Sequence, residues 1–391
     1  MPAPRSGMSA HVMISPEVTN NVYVAPASGL WMLPGESLKR DVEKVTSDAI
    51  IATRQILDSA QHYAGKETLS GTLPLELSDV GSENALRMLL GAPVVTGGGP
   101  TYTRTWAGLL DVFNVSSTMQ VGRPDNAGAI VPFTWTGVKA ISGALGLTES
   151  KPVTLNLEVV AQNETLYRSV SDAATNTNTA FTSVTAAFTP DDVGKPISGT
   201  SIPAATTIAA YVSTTAVTLS QAATGTGTGQ DAVIGVAAAT AAYTASMKPF
   251  TFVGGSVTNN SVTIGGAAPP AVKQATLTIN RPQDTERRSL GSARILQPIV
   301  NDLASVKLEL DCEFDGTTHY KRYIADSEHA VVLSLVSPAA HTLTFTMTGR
   351  YEMNPEPTVA DRGVLRQKIA LDMSGTTDAA AFTAVLVNSI A

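Results

Sequence analysis

Three carboxylates at alternate positions, Glu309, Asp311 and Glu313, make the stretch VKLELDCEF the most chemically pointed part of the 391-residue chain. Alternate spacing places them on one face of a strand beside Lys307, and places Leu308, Leu310, Cys312 and Phe314 on the other. Clustered carboxylates could move protons or hold a metal ion if a nucleophile, a histidine or further ligands stood with them. The sequence offers no such companion at a recognisable spacing. His11, His62, His319, His329 and His341 are scattered and form no HExxH motif, and no GxSxG elbow occurs. Gly65-Lys66-Glu67 and Gly194-Lys195-Pro196 lack the upstream glycine and following Ser or Thr of a phosphate loop, and the GTGTG run at 225–229 has no strand-to-helix context. The run from Asp311 to Gly316 begins like a calcium loop, but its twelfth position, which should be a bidentate Glu, is Arg322. A strand closed by a turn at Asp315-Gly316 accounts for it better. We therefore expect no catalytic, cofactor-binding or metal site.

Carboxylates in a row repel one another, so this face must meet water, a groove or channel, or basic residues of a neighbour. A basic cluster does exist in RPQDTERRSLGSAR, comprising Arg281, Arg287, Arg288 and Arg294. It reads either as a loop that meets a carboxylate face on another subunit or as an ordinary solvated loop. Without interleaved aromatics it makes a poor nucleic-acid platform.

Composition narrows the class. Charged residues make up 15% and aromatics 5%, with a net charge of −7, so a groove that grips phosphates is not expected. The Ala, Thr, Gly, Ser and Val that fill the gaps suit a β-rich assembly protein. The single cysteine, Cys312, excludes an internal disulfide and reads as a small buried hydrophobe. The first residues contain no apolar signal core, and the longest apolar runs, such as Ala330 to Val336, are too short to span a bilayer, so a chain kept in solution is expected.

The elements that must position the carboxylates are mostly strands. Prolines 2, 4, 16, 26 and 34 predict an extended N-terminal arm over residues 1–40 that lies on a neighbouring subunit. Glu36 to Tyr63 reads as strands interrupted by loop, because its β-branched residues keep no helical stripe. LPLEL alternates as a strand, and SENALRMLLG reads as a short helix capped by Ser82 and stopped by Gly91. Further strands are expected at 102–107, 116–122, 131–140, 153–162, 275–280, 306–314, 330–336, 341–348, 364–373 and 382–388, with a second helix near Thr318 to Asp326. Composition shifts sharply at about Arg168 and back at Met247. Residues 168–246 are expected to form a small inserted β module that leaves and rejoins the body, 1–167 and 247–391, at close points. The fold class is mainly β: an antiparallel sandwich or barrel-like body with one or two short helices.

Taken in order, GTLPLELSDVGSENALRMLLG, SSTMQVG, FTWTGVKAIS, VTLNLEVVA and the closing DRGVLRQKIALDMSG then AVLVN resemble the tail tube protein family of long-tailed bacteriophages. The insert is similar to small β modules of phage virion proteins and departs from the basic tube pattern. The resemblance implies a virion protein, made in the host cytoplasm, that closes into homo-hexameric rings stacking into the tail. It also implies contacts with the terminator, tape measure and distal tail proteins, and a channel through which DNA passes without specific binding. In that setting an acidic lining would repel the polyanion and let it slide, so Glu309, Asp311 and Glu313 are expected at the lumen or at a subunit seam. The insert is expected on the outer wall. A β-sandwich binding or decoration protein of phage particles is the alternative, separable by microscopy; a hydrolase has no visible nucleophile and base.

Overall fold

The structure, a computed structural model, describes residues 7–49, 56, 59–125, 129–240, 242–244, 247–252, 261–269, 271–314, 316–357, 359 and 363–389. Asp315, residues 241, 245 and 246 of the expected insert, the first six residues of the expected arm, and 50–55, 57 and 58 of the Glu36 to Tyr63 stretch lie outside the described residues. In chain order the strands are β1 (His11–Pro16), β2 (Ser28–Leu30), β3 (Lys39–Thr46) and β4 (His62–Glu76). Helix α1 (Glu83–Leu90) follows, then β5 (Val94–Gly98), β6 (Thr101–Ala107), β7 (Ser117–Pro124), β8 (Ile130–Thr148), β9 (Thr154–Ala161) and β10 (Asn163–Leu166). The insert carries β11 (Arg168–Thr175), β12 (Ala180–Thr182), β13 (Ile197–Gly199), β14 (Ile208–Ser213), β15 (Ala216–Leu219) and β16 (Gly227–Ile234). The rest comprises β17 (Ser261–Ile264), β18 (Gln274–Asn280), β19 (Ser305–Glu313), α2 (Thr318–Ile324), β20 (His329–Val336), β21 (Thr342–Tyr351), β22 (Arg366–Met373), α3 (Asp378–Ala381) and β23 (Phe382–Asn388).

The body is mainly β and antiparallel throughout. Its longest feature is a row of strands in the order β3, β4, β9, β8, β18, β19, β22, β21, each hydrogen-bonded to the next. Strands β8 and β21 leave this row part-way along their length. The first half of β8 pairs with β7 and β10, and the first half of β21 pairs with β20 and β23. The sandwich core lies between. Alternation decides which side chains enter it: Leu73 and Leu75 of β4, Leu155 and Leu157 of β9, Leu277 of β18, Leu308 and Leu310 of β19 and Ile369 of β22 are all at most 3% exposed. Cys312 is buried with them, whereas Phe314, expected in the core, is 37% exposed. It stands one residue past the end of β19, where the neighbouring sheet face no longer covers it.

Helix α1 stands where the sequence puts it. Gly91, at a φ of 98°, supplies the left-handed stop, and Ser82 precedes the helix. The Ser82 hydroxyl, however, accepts from the Ser78 backbone N–H at 3.0 Å rather than capping the helix. The helix rides close on β8 at Gly143, where a Cβ would collide with Leu89.

The N-terminal segment departs from the expected arm. Strand β1 pairs with β7 and β2 of its own body, and Val12 and Ile14 are fully buried. Glu17 fixes the strand's end: its carboxylate accepts from the Ser116 and Thr118 hydroxyls and from the N–H groups of Asn21 and Gly137 at 2.6 to 3.0 Å. Pro16 closes β1, and Pro26 and Pro34 stand two residues before and four after β2 rather than within an unpaired extension.

The insert's six strands form a sheet of their own with a separate core that includes Phe181, Phe188, Val217 and Ile234. Its first strand follows β10 after one residue. Gly235, just past β16, lies so close to the Leu166 carbonyl that a Cβ there would overlap it. Entry and exit are therefore adjacent. Asp172 braces the module's first turn by accepting from the Ser183 and Thr185 hydroxyls and the N–H groups of Val184 and Thr185; these bonds hold its carboxyl below the usual range.

Candidate functional site, the polar face of the long sheet

The face of the long row that points away from the core is mostly polar. On β4 it carries Ser70, Thr72, Pro74 and Glu76, and on β9 Thr154, Asn156 and Glu158. On β8 it carries Ser142, Ala144, Gly146 and Thr148, set directly against Asn280, Thr278, Thr276 and Gln274 of β18. Short hydroxyl, amide and methyl groups make this wall shallow, and its charges gather on β19 and β22.

The three carboxylates of β19 all lie on this wall. Glu309 is exposed, and Asp311 and Glu313 are half-buried. Register explains how the chain tolerates them in a row. Asp311 stands opposite Lys368 and Glu313 opposite Arg366 on β22, and Lys307 opposite Asp372. Arg366 also donates from Nε to Asp311 at 2.9 Å, and Lys307 pairs with Glu352 through a hydrogen bond that pushes the ammonium pKa up. Glu309 has Ala370 and Thr276 as its lateral neighbours. Above these strands the face is hollowed by about 570 Å³, with Gln274, Glu309, Asp311, Glu352 and Lys368 among its walls. Among the described residues no group of three or more His, Cys, Asp or Glu is placed to hold a metal ion. The hollow joins no nucleophile to a base. What the arrangement offers an approaching anion is a wall of carboxylates and short polar groups, whose cations on β22 already face acids.

Arg366 and Lys368 belong to the site although the sequence reading did not single them out. Their signal was the alternation Arg366, Lys368, Ala370, Asp372 within the expected strand at 364–373. What the sequence lacked was the register that sets it against β19.

The basic cluster is drawn largely into its own chain. Arg281 is buried and donates to the carbonyls of Leu89 and Leu110, closing the C-terminal end of α1; burial pulls its pKa down to about 10 against the opposing effect of Asp111. Arg288 donates to the Glu67 carbonyl and to Glu286, and Arg294 to the Glu67 carboxylate and Asn163. Glu67 is correspondingly held below the usual carboxylate range: its burial pushes the pKa up, and the bonds from Arg40 and Arg294 outweigh that. Arg287 is exposed and reaches only the Gln297 carbonyl of the same loop at 3.2 Å.

Lys139 on β8 anchors this loop from below. Its ammonium is buried and donates to the carbonyls of Phe113 at 2.7 Å and Pro298 at 3.1 Å. Burial lowers its pKa to about 8, with Asp111 pulling the other way. An unfolded lysine titrates near 10.4, so between about 8 and about 10.4 the unfolded chain holds a proton that the folded chain has lost. Stability should therefore rise with pH across that window, by up to about 3 kcal/mol from this group. Urea midpoints measured from pH 7.5 to 10.5 should climb more steeply for the natural chain than for Lys139→Met; parallel curves would refute the assignment.

Comparison with known families bears directly on this wall. The family model described as phage tail tube protein matches residues 7–222 and 221–376, nearly the whole chain. No curated protein matches the chain.

Proposed function

The chain belongs to the phage tail tube protein family, and from that premise we propose that its copies close into rings, which stack into the tail tube and form the channel for genome delivery. The observation that carries this reading is the long antiparallel row itself, apolar and packed on one face, polar and open on the other. A sheet of that kind, continued from copy to copy, makes a closed wall with no exposed edge. We assign the polar face, with Glu309, Asp311 and Glu313, to the lumen. Phosphate contacts from Lys or Arg would bind DNA through counterion release, and an acidic wall avoids that. The role is structural rather than enzymatic, and the remaining partners are the other proteins of the tail. Among the described residues no helix is long and apolar enough to cross a membrane.

The loop of residues 281–304 is the surface we assign to contacts with a neighbouring subunit. Leu290 and Leu303 stand almost fully exposed on it, and Arg287 of the same loop is exposed as well. Exposed leucines on a loop whose other arginines anchor it to the body suit a docking contact better than a solvated turn.

The insert belongs on the outer wall in this reading, because it has its own core and adjacent ends. Negative-stain microscopy of the purified chain at high concentration should show hollow tubes. A chain in which residues 168–234 are replaced by a short linker should form the same tubes with a smoother, narrower outline. Discrete particles from the full chain would instead favour a decoration protein, and loss of all polymerisation on excision would place the insert within the ring contacts.

A further inference from the structure

The body is built twice. Strands β1, β3, β4, β7, β8, β9 and β10 with α1 have one-for-one counterparts in β17, β18, β19, β20, β21, β22 and β23 with α2. The first set pairs as β1–β7, β7–β8, β8–β9, β8–β10, β3–β4 and β4–β9. The second repeats this as β17–β20, β20–β21, β21–β22, β21–β23, β18–β19 and β19–β22, again all antiparallel. The sequence echoes the match: Leu75-Glu76-Leu77 leads into α1, and Leu308-Glu309-Leu310 leads into α2. In each unit the first of these leucines faces a leucine of the neighbouring strand, Leu75 facing Leu155 and Leu308 facing Leu371. The two family matches divide the same way, the first containing β1 to β10 and the second β17 to β22. Only the first unit carries β2, the β5–β6 hairpin and the insert.

Within the chain the long row crosses from one unit to the other at one seam, and β6 of the first unit also pairs with β23 of the second. Once β8 has passed β7, its continuation Ser142–Thr148 pairs with β18 at Asn280–Gln274. The counterpart of that continuation is the run after β21, which passes β20 at Gly349, and the counterpart of β18 is β3. Among the described residues no strand pairs with the outer edge of β3 or with the run 353–357, and Glu352 reaches β22 through its N–H to the Ala370 carbonyl. Polarity permits the join: the eight strands of the row alternate in direction, so its last strand runs antiparallel to the first strand of a following copy.

We propose that residues 352–357 of one copy pair with the edge of β3 of a second copy, so that the seam between chains repeats the seam within each chain, and that three chains close one ring. This rests on the tube reading and replaces the homo-hexamer of chains, which would double the number of units around the channel. Strand spacing gives the same number. Eight-stranded rows tilted about 40° with strands about 4.8 Å apart close into a barrel about 48 Å between opposite backbones for three copies, and about 95 Å for six. The smaller barrel leaves room for one DNA duplex, and the larger is far wider than one needs. The seam between chains has fewer hydrogen bonds than the internal one. Pro355 and Pro357 carry no N–H, and the Glu356 N–H is taken by Asn354 Oδ1, so this run offers the seam carbonyls more than donors. Such an edge resists indiscriminate pairing and holds when all its seams close together.

Because only the first unit carries the insert, the ring should be six-fold in its inner wall and three-fold outside. Electron cryo-microscopy of assembled tails, averaged end-on without imposed symmetry, should show three insert densities per ring, alternating with bare positions. Carbodiimide cross-linking of the same tails should join Lys39 or Lys44 of one chain to Glu352 or Glu356 of another, a link missing from the unassembled chain. Six inserts per ring, or β3 lysines linked only to other segments, would overturn the proposal and leave the tube reading standing. Tails without rings of this chain would overturn both.

Discussion

Asp79→Ala should cost the folded body about 3–5 kcal/mol, read as a fall in the urea midpoint at an unchanged slope. Asp79 is fully buried. Its carboxylate accepts from the Ser337 hydroxyl, from His341 Nδ1 and from the Lys248 N–H, each at 2.8 Å. Its backbone carbonyl accepts from Asn388 Nδ2 at 2.9 Å. A single side chain and carbonyl, four residues before the start of α1, thus tie down the segment returning from the insert, the β20–β21 turn and the last strand. Truncation leaves a buried hydroxyl, a half-buried imidazole and an N–H without their acceptor, and that desolvation dominates the loss. Ser337→Ala removes one donor and should cost about 1 kcal/mol. The serine and histidine share the aspartate rather than forming a relay, so the network is a fastening. A midpoint for Asp79→Ala within 1 kcal/mol of the natural chain would refute this assignment.

That fastening was invisible in the sequence, because its partners lie as far as 309 residues apart and each is an ordinary polar residue in its own surroundings. What was legible was local. The alternation of VKLELDCEF gave β19 and its two faces, and Ser82 with Gly91 bounded α1 to the residue. The composition break at Arg168 coincides with the first strand of the second sheet, and residues after its last strand, β16, run back along the body, where Ala237 and Ala239 bond to Gln120. The N-terminal prolines misled because strands as short as β2 carry too little periodicity to outweigh the punctuation around them. The four-residue α3 is shorter than any periodic signal. Pairing of β19 with β22 is a tertiary fact, and it changes the chemistry of the candidate site most.

Because of that pairing, replacing Glu309, Asp311 and Glu313 by Gln, Asn and Gln does more than neutralise a wall. It leaves Arg366 and Lys368 on the same face without the acids opposite them, so the local charge changes sign. If this face lines the channel, every chain then presents two uncompensated cations to passing phosphates. Each phosphate contact steepens the dependence of log affinity on log salt by about 0.9, and the contacts multiply around and along the tube. Particles built with the triple variant should therefore assemble normally yet release DNA at least tenfold more slowly in low salt, with the rate recovering as salt is raised. Adding Arg366→Gln and Lys368→Gln to the same chain should restore release without salt, because the wall is then neutral rather than basic. A merely structural defect would not be rescued by removing two more charges. If the triple variant instead fails to assemble while the few particles formed eject at the natural rate, the acidic face belongs to a contact between subunits and not to the lumen.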